Sequence, residues 1–428
     1  MVHQWPPMHR PPGGLQRKGP KAGFVRGGGG SATAILGSGT DAGVILGDTE
    51  LSGLSLVFND SVGSLLIRDE VTPANNYFGA PFSKLTFTRG SSGTYVNSAG
   101  LFATAATDVA RIDYNISSLA IRGFLVEKAS QNDLIFSDDL TNAAWVKVTT
   151  TAAKNQTGPD GVGNSATAIT ASAINGTILQ TITLGSQARH TSAYVKRLVG
   201  TGTVEMTEDG ATWSAITVTA AWTRVEIATQ TLANPIVGFR IATSADSIAV
   251  FCVQNEAGNF MTSGIQTGAA AVARSADICT LATTLFNHSA LAGSLVFRAA
   301  PFEAATGMVV AQLDDGTTNE LHSLSLTSGA VCAYTVTDGG AAQTAPLTTG
   351  GTVALTFEGV AAAWQVNDFA ISSDGAAVAA DSVGTLPTVT TLRIGGGISA
   401  ATPLSGWIRQ ITHVPRRVGN AQLQMWSR

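Results

Sequence analysis

The sequence predicts an all-β chain: tandem β-sandwich domains of jelly-roll type, preceded by an extended N-terminal arm. Two observations carry this. Short runs alternate apolar and polar residues and stop at Gly, Asn-Gly or Asp-Gly, which is the pattern of half-buried strands separated by tight turns. Amphipathic helical periodicity of any length is missing from residues 32–128.

Composition bounds the function. Of 428 residues only 13% are charged and 47 are glycine, against roughly 25% charged in an average domain, so the surface relies on hydroxyls and backbone. The formal net charge of -4 gives no long-range attraction to nucleic acid or anionic lipid. No apolar run approaches the roughly 20 residues of a membrane span, so neither nucleic-acid binding nor membrane insertion is expected. Cys252, Cys279 and Cys332 are odd in number and widely spaced. They are expected as small buried hydrophobes, with no disulfide framework, metal or cofactor.

The elements follow in order. In residues 1–31, Pro6, Pro7, Pro11, Pro12 and Pro20 forbid helix and central strand, Gly27 to Gly30 form a joint, and no acidic residue precedes Asp41. We expect an arm that docks on a neighbouring protein through Trp5, Leu15 and Phe24, with Arg10, Arg17, Lys18, Lys21 and Arg26 as its charges. It lacks the apolar core of a secretion signal, which suits folding in a reducing cytoplasm. Residues 32–129 read as a β-rich shoulder domain, with strands at 43–46, 54–58, 65–67 and 120–126. Its stretch FTRGSSGTYVNSAG, 87–100, reads as strand, tight connection and second strand.

Residues 130–278 read as one sandwich, with strands at 177–182 and 223–227 and turns at Pro159-Asp160-Gly161, Asn175-Gly176 and Asp209-Gly210. Residues 279–428 read as a second, with strands at 294–297, 308–313, 321–326, 331–336, 353–357, 364–371 and 392–394. A short terminal helix, capped by Asn420, would tuck Leu423 and Trp426 onto it.

Specific residues add a resemblance. LTFTRGSSGTYVNSAG, then VARIDYN, then RGFLVEKASQNDLIFSDDLTNAAWVK resembles the opening of tailed-phage virion structural proteins of the tail-fibre and tail-tip type. In that group a Phe-Thr-Arg-x-Ser-x-Gly-Thr-Tyr hairpin precedes Arg-x-Asp-Tyr and Gly-x-Leu-x-Glu-x-x-x-x-Asn. Here these are Phe87 to Tyr95, Arg111 to Tyr114 and Gly123 to Asn132, with Trp145 following. Arg-Thr usually precedes that Asn, whereas this chain has Ser130-Gln131. The middle block resembles a carbohydrate-binding-module-like sandwich. The last, ending PLSGWIRQITHVPRRVGNAQLQ, resembles concanavalin-A-like (laminin-G-type) jelly rolls. The resemblance implies a virion protein assembled in the bacterial host cytoplasm, a homotrimer docked to other virion proteins by its arm, attaching to a host surface glycan. The alternatives are a purely architectural virion component and a glycan-cleaving tailspike.

Chemistry-bearing patterns are sparse. No nucleophile elbow, zincin motif or phosphate loop is present. His190, His288, His322 and His413 lack ligand spacing and are expected as hydrogen-bonded strand or loop residues. Adjacent acids on a strand face opposite ways, so Asp138-Asp139 and Asp314-Asp315 make no hydrolytic pair, and no enzyme is expected. Sugar binding needs an aromatic face and hydroxyl-bridging Asp, Asn or Glu. Candidates are Asp314, Asp315, Asn319 and Glu320 with Trp364, Asn367 and Asp368, and a loop-tip Trp213. Trp222 and Trp407 are expected in the core.

Overall fold

The computed structural model describes residues 53–58, 64–68, 77–303, 307–327, 331–351, 354–398 and 403–428. The arm, with Trp5, Arg10, Leu15, Arg17, Lys18, Phe24 and Arg26, and the strand expected at 43–46 lie outside the described residues.

The expected alternation builds two facing antiparallel sheets. In one, Gly406–Val414 lies between Gly53–Val57 and Ala292–Pro301, which continues to Glu358–Gln365 and Asp368–Ser373. Register aligns Leu54, His413, Leu295, Ala362 and Ile371 across these strands. The facing sheet aligns Leu281, Leu392, Leu313, His322 and Val336. These rows form one buried core with Phe58, Phe87, Phe124 and Trp364. Each fully buried large side chain contributes roughly 1.5–3 kcal/mol.

The residues expected to form a separate shoulder belong to this same sandwich. Gly53–Val57 pairs with Gly406–Val414, Thr86–Thr88 pairs with Ile278–Ala282, and Ile121–Val126 pairs with Gly406–Val414. Residues 50–428 form one compact unit. The physical reason is that strands such as Leu54 to Phe58 leave sheet edges unpaired, and a long-range partner satisfies them.

The middle sandwich is therefore an insertion. The chain enters it through Ser130–Asn132 and leaves through Val272–Arg274, and these two strands pair antiparallel. Between them Val146–Val148, Gly176–Thr181, Ile236–Ile241, Val204–Thr207 and Ser214–Ile216 form one sheet. Thr150–Gln156, Ala166–Ala171, Ser247–Ala257, Gln187–Val199 and Thr223–Glu226 form the facing one. Trp145, Phe239, Ile248 and Val253 fill its core.

The 87–100 stretch is strand, connection and strand as expected, but the two do not pair as the hairpin of the resembling group: Thr86–Thr88 joins the larger sandwich, while Gly93–Val96 pairs with Phe102–Ala105. Three local readings are corrected. Residues 364–371 are two strands, because Asn367 turns the chain at φ +60° between Glu358–Gln365 and Asp368–Ser373. The strand expected at 353–357 starts instead at Glu358. The terminal helix Asn420–Trp426 has Gly419, not Asn420, at its N-cap, while Leu423 and Trp426 are buried as expected. All three cysteines are buried and free, also as expected.

Candidate functional site

The junction between the sandwiches is where distant segments converge. Arg89 follows its strand, and its side chain is swallowed by backbone: Nη2 donates to the Ala106 carbonyl at 2.7 Å and the Val109 carbonyl at 3.1 Å, and Nη1 to Asp277 at 3.2 Å. Arg111 lies next to it, fully buried. Its Nη2 reaches Asp277 at 2.5 Å, and its Nη1 reaches Glu127 and the Thr94 carbonyl at 2.8 Å each. Glu127 also accepts from the Ser263 backbone N–H at 2.5 Å and hydroxyl at 2.6 Å, with Arg274 at 3.5 Å. Burial alone would raise the Glu127 carboxyl, but Arg274, Arg111 and Ser263 together hold it down to about 2. Asn132 uses its whole amide: Nδ2 donates to the Val253 and Ile265 carbonyls, and Oδ1 accepts from Leu134 and Asn255. Arg89, Arg111 and Glu127 of the resembling motifs thus form a buried charged network with Asp277, Ser263 and Arg274, in which the Arg111 and Arg274 Nε atoms have no partner, and Asn132 separately ties the entry strand to Val253, Asn255 and Ile265 of the inserted sandwich.

The network adjoins a cleft of about 290 Å³ through Thr94 and Ser263, which line the cleft while bonding Arg111 and Glu127. The hairpin Gly93–Val96/Phe102–Ala105 supplies Tyr95, the Ile112–Tyr114 strand supplies Asp113, and Ile121–Val126 supplies Arg122. The inserted sandwich contributes Tyr194, Arg224 and Glu226, and the loop before its exit strand contributes Phe260 to Gly264. Phe302 and Trp407 close the far wall, packed edge to face at 4.7 Å. Gly123, beside Arg122, requires its lack of a side chain: it sits at φ +124°, and a Cβ there would fall 2.5 Å from the Ile408 carbonyl.

The charged groups of the cleft are unequally engaged. Asp113 is 6% exposed and spends both oxygens, accepting from the Val96 N–H at 2.8 Å and the Trp407 indole N–H at 2.9 Å. Burial raises its carboxyl above the ordinary range. Glu226 is held by His190 at 2.7 Å, a hydrogen bond that lowers its carboxyl. Arg122 lies 4.6 Å over the Trp407 ring, and its nearest acid, Asp113, is 3.7 Å away. Arg224 donates to the Ser192 hydroxyl at 3.1 Å, while its Nε has no partner.

The residues singled out from sequence are placed elsewhere. Asp314 is fully buried and held by Arg393 at 2.6 and 3.0 Å. Asp315 closes its own turn on Thr317. Glu320 accepts from the N–H groups of Gly339 and Thr388, the Asn319 carbonyl accepts from Gly340, and Asn367 exchanges hydrogen bonds with Gly384. Asn319 and Glu320 thus tie their loop to Gly339, Gly340 and Thr388, and Asn367 ties its turn to Gly384. Asp368 pairs with Arg417 at 2.8 Å. Trp364 is 1% exposed and stacks on His322 at 4.6 Å, as a core residue. Trp213 is half-buried in the other sandwich, under the Arg240 guanidinium at 4.6 Å. Trp407 is in the core as expected and also walls the cleft, whereas Trp222 is only half-buried.

The histidines follow the expected pattern in part. His190 bonds Glu226 and Thr229, and His322 bonds the Tyr334 hydroxyl at 2.8 Å. His288 and His413 approach at 3.4 Å. Among the described residues no group of His, Cys, Asp and Glu is arranged to hold a metal, and no helix is long and apolar enough to cross a membrane.

No protein family matches the chain, and no curated protein sequence matches it. Solved structures do. A carbohydrate-binding module of the Ruminococcus gnavus IT-sialidase, bound to α2,3-sialyllactose, is 14% identical over 32% of this chain and 83% of its own, with a TM-score of 0.29. Domain 4 of an arabinanase from Geobacillus stearothermophilus, in complex with arabinotriose, is 13% identical over 40% of this chain and 82% of its own, at 0.28. A tandem carbohydrate-binding pair from a Paenibacillus barcinonensis protein is 9% identical over 67% of this chain and 96% of its own, at 0.25. At this similarity they fix neither ligand nor reaction here.

Proposed function

We propose that the chain is a non-catalytic glycan-binding protein whose ligand seats in the cleft between the two sandwiches. The single observation that carries this is the cleft itself: an apolar wall of Tyr95, Phe302 and Phe260, with Asn115, Thr262 and Arg122 at its polar edge. A sugar ring offers one apolar face to such a wall and hydroxyls to such an edge. Binding without cleavage follows from the acids. Asp113 has both oxygens engaged, which leaves Glu226, tied through one oxygen to His190, without a second free carboxyl in the cleft lining to complete the pair that glycoside hydrolysis uses.

The biological setting belongs to the same proposal. Sequence resemblance at Phe87 to Tyr95, Arg111 to Tyr114 and Gly123 to Asn132 supports a tailed-phage virion protein of tail-fibre or receptor-binding type. Its arm docks to other virion proteins, and its homotrimer multiplies a weak site against a host surface glycan.

Titration of the full chain with host envelope oligosaccharides, read by calorimetry, tests the site. Binding that weakens about tenfold or more in Tyr95→Ala supports it, tenfold being 1.4 kcal/mol. Absence of binding to every envelope glycan overturns it in favour of a purely architectural role, and release of reducing ends overturns the non-catalytic reading. Light-scattering mass reports the trimer, and the density of the arm in a particle reconstruction reports the docking.

A further inference from the structure

We propose that the cleft contains an anion subsite built by Arg122, Arg224 and Tyr194, so that the glycan it takes is acidic, bearing a carboxylate or a phosphate substituent. This rests on the saccharide reading given above and narrows it to a ligand class.

The argument is an accounting of donors. An arginine carries five N–H donors in a rigid fork suited to carboxylate and phosphate. Elsewhere at the junction Arg89 and Arg111 each bind several acceptors, Arg111 leaving only its Nε without one. Arg122 and Arg224 in the cleft bind fewer. Arg122 is 35% exposed at its side chain and has only an ion-pair approach of 3.7 Å to Asp113, with the Trp407 face beneath it. That ring holds the guanidinium flat and costs it no donor. Arg224 lines the cleft and uses one hydrogen bond, from Nη2 to the Ser192 hydroxyl at 3.1 Å, so most of its donors are not committed.

Tyr194 lines the cleft beside Arg224, whose guanidinium lies 5.3 Å from the centre of its ring. Burial pushes its phenol up to about 12, so the hydroxyl stays a neutral donor at physiological pH. The nearby acids act on the two arginines through space without taking their N–H donors: Asp113 lies 3.7 Å from Arg122 but spends its oxygens on the Val96 and Trp407 N–H groups, and Glu226 gives one oxygen to His190. Glu127 and Asp277 are engaged below, with Arg111, Arg274 and Arg89.

The test compares three probes on the full chain by calorimetry: a tetragalacturonate, its carboxyl-reduced neutral counterpart, and a glycerol-phosphate-substituted oligosaccharide. The expected result is tighter binding of a charged probe than of the neutral one by about tenfold to a hundredfold, the scale of a charge-assisted pair. That preference should shrink as ionic strength rises. Uronate alone, phosphate alone, or both binding tightly each supports the subsite and identifies the source of the anion. Arg122→Met should collapse the charged-to-neutral ratio toward one. Because Arg224 variants are at risk of misfolding, Tyr194→Phe serves as the second variant and should lower the ratio severalfold, while Asp315→Ala leaves it unchanged. Equal binding of charged and neutral probes overturns the anion subsite and leaves glycan binding standing. Failure of all three, together with every envelope glycan, overturns both.

Discussion

Replacing Arg111 with methionine is expected to weaken the folded state by about 3 kcal/mol. The side chain is fully buried between two acids, 2.8 Å from Glu127 and 2.5 Å from Asp277. Methionine keeps the stem but strands both carboxylates in a place water does not reach. Breaking a buried pair in this way costs roughly 3–5 kcal/mol. The lower end applies because each acid keeps a second cation: Arg274 at 3.5 Å for Glu127, and Arg89 at 3.2 Å for Asp277. The same network is pH-sensitive: against the cost of burial, Arg274, Arg111 and Ser263 hold the Glu127 carboxyl down from 4.5 to about 2, so its contribution is complete above pH 4.5 and is lost as pH drops toward 2. Urea unfolding at pH 7, followed by tryptophan fluorescence, measures the loss. Arg111→Met combined with Glu127→Gln should cost less than the sum of the two singles, since they share one interaction. A single-variant loss below about 1 kcal/mol, or strict additivity in the pair, would refute the network as the clamp on the inserted sandwich.

Four other outcomes are expected. Acidification from pH 7.5 to 4.5 should cost about 3 kcal/mol through His322 alone, because burial holds its ring to about 3 in the fold while the unfolded side chain protonates near 6.5; His322→Phe should remove that part of the slope in melting temperature against pH. Trp364→Ala should destabilise by about 3–5 kcal/mol as a core cavity, with glycan affinity unchanged in the fraction that stays folded, whereas a selective loss of affinity would restore its candidacy as a contact. Gly123→Ala forces a Cβ against the Ile408 carbonyl at 2.5 Å and should cost about 2 kcal/mol or more in denaturant melts. Asp315→Ala removes only a local turn bond and should stay within about 0.5 kcal/mol of the parent.

The strand pattern was legible in the chain because alternation is a local signal. Leu54 to Phe58, Thr177 to Ile182 and Leu321 to Leu326 each show which residues face inward without reference to any partner. The buried cysteines were legible for a similar reason: their neighbours are apolar and their spacing suits no ligand set. Turn signals were legible where Asp or Asn precedes Gly, and misleading where Asn367 bends a run that otherwise reads as one strand.

What the tertiary structure decided is which strands meet. Local alternation says nothing about partners, so a domain inserted between Asn132 and Val272 reads along the chain like the next bead on a string. Pairing Ser130–Asn132 with Val272–Arg274 folds the first strands back onto the last, and the cleft exists only at that junction. Tyr95, Arg122, Arg224 and Trp407 come from segments up to 312 residues apart, and although Tyr95 and Arg122 stand in the resembling motifs, nothing local marks the four as neighbours. Asp314 and Trp364 had the right chemistry for a sugar but were taken by Arg393 and His322. Whether a side chain is free to meet a ligand depends on its long-range neighbours, and only folding supplies those.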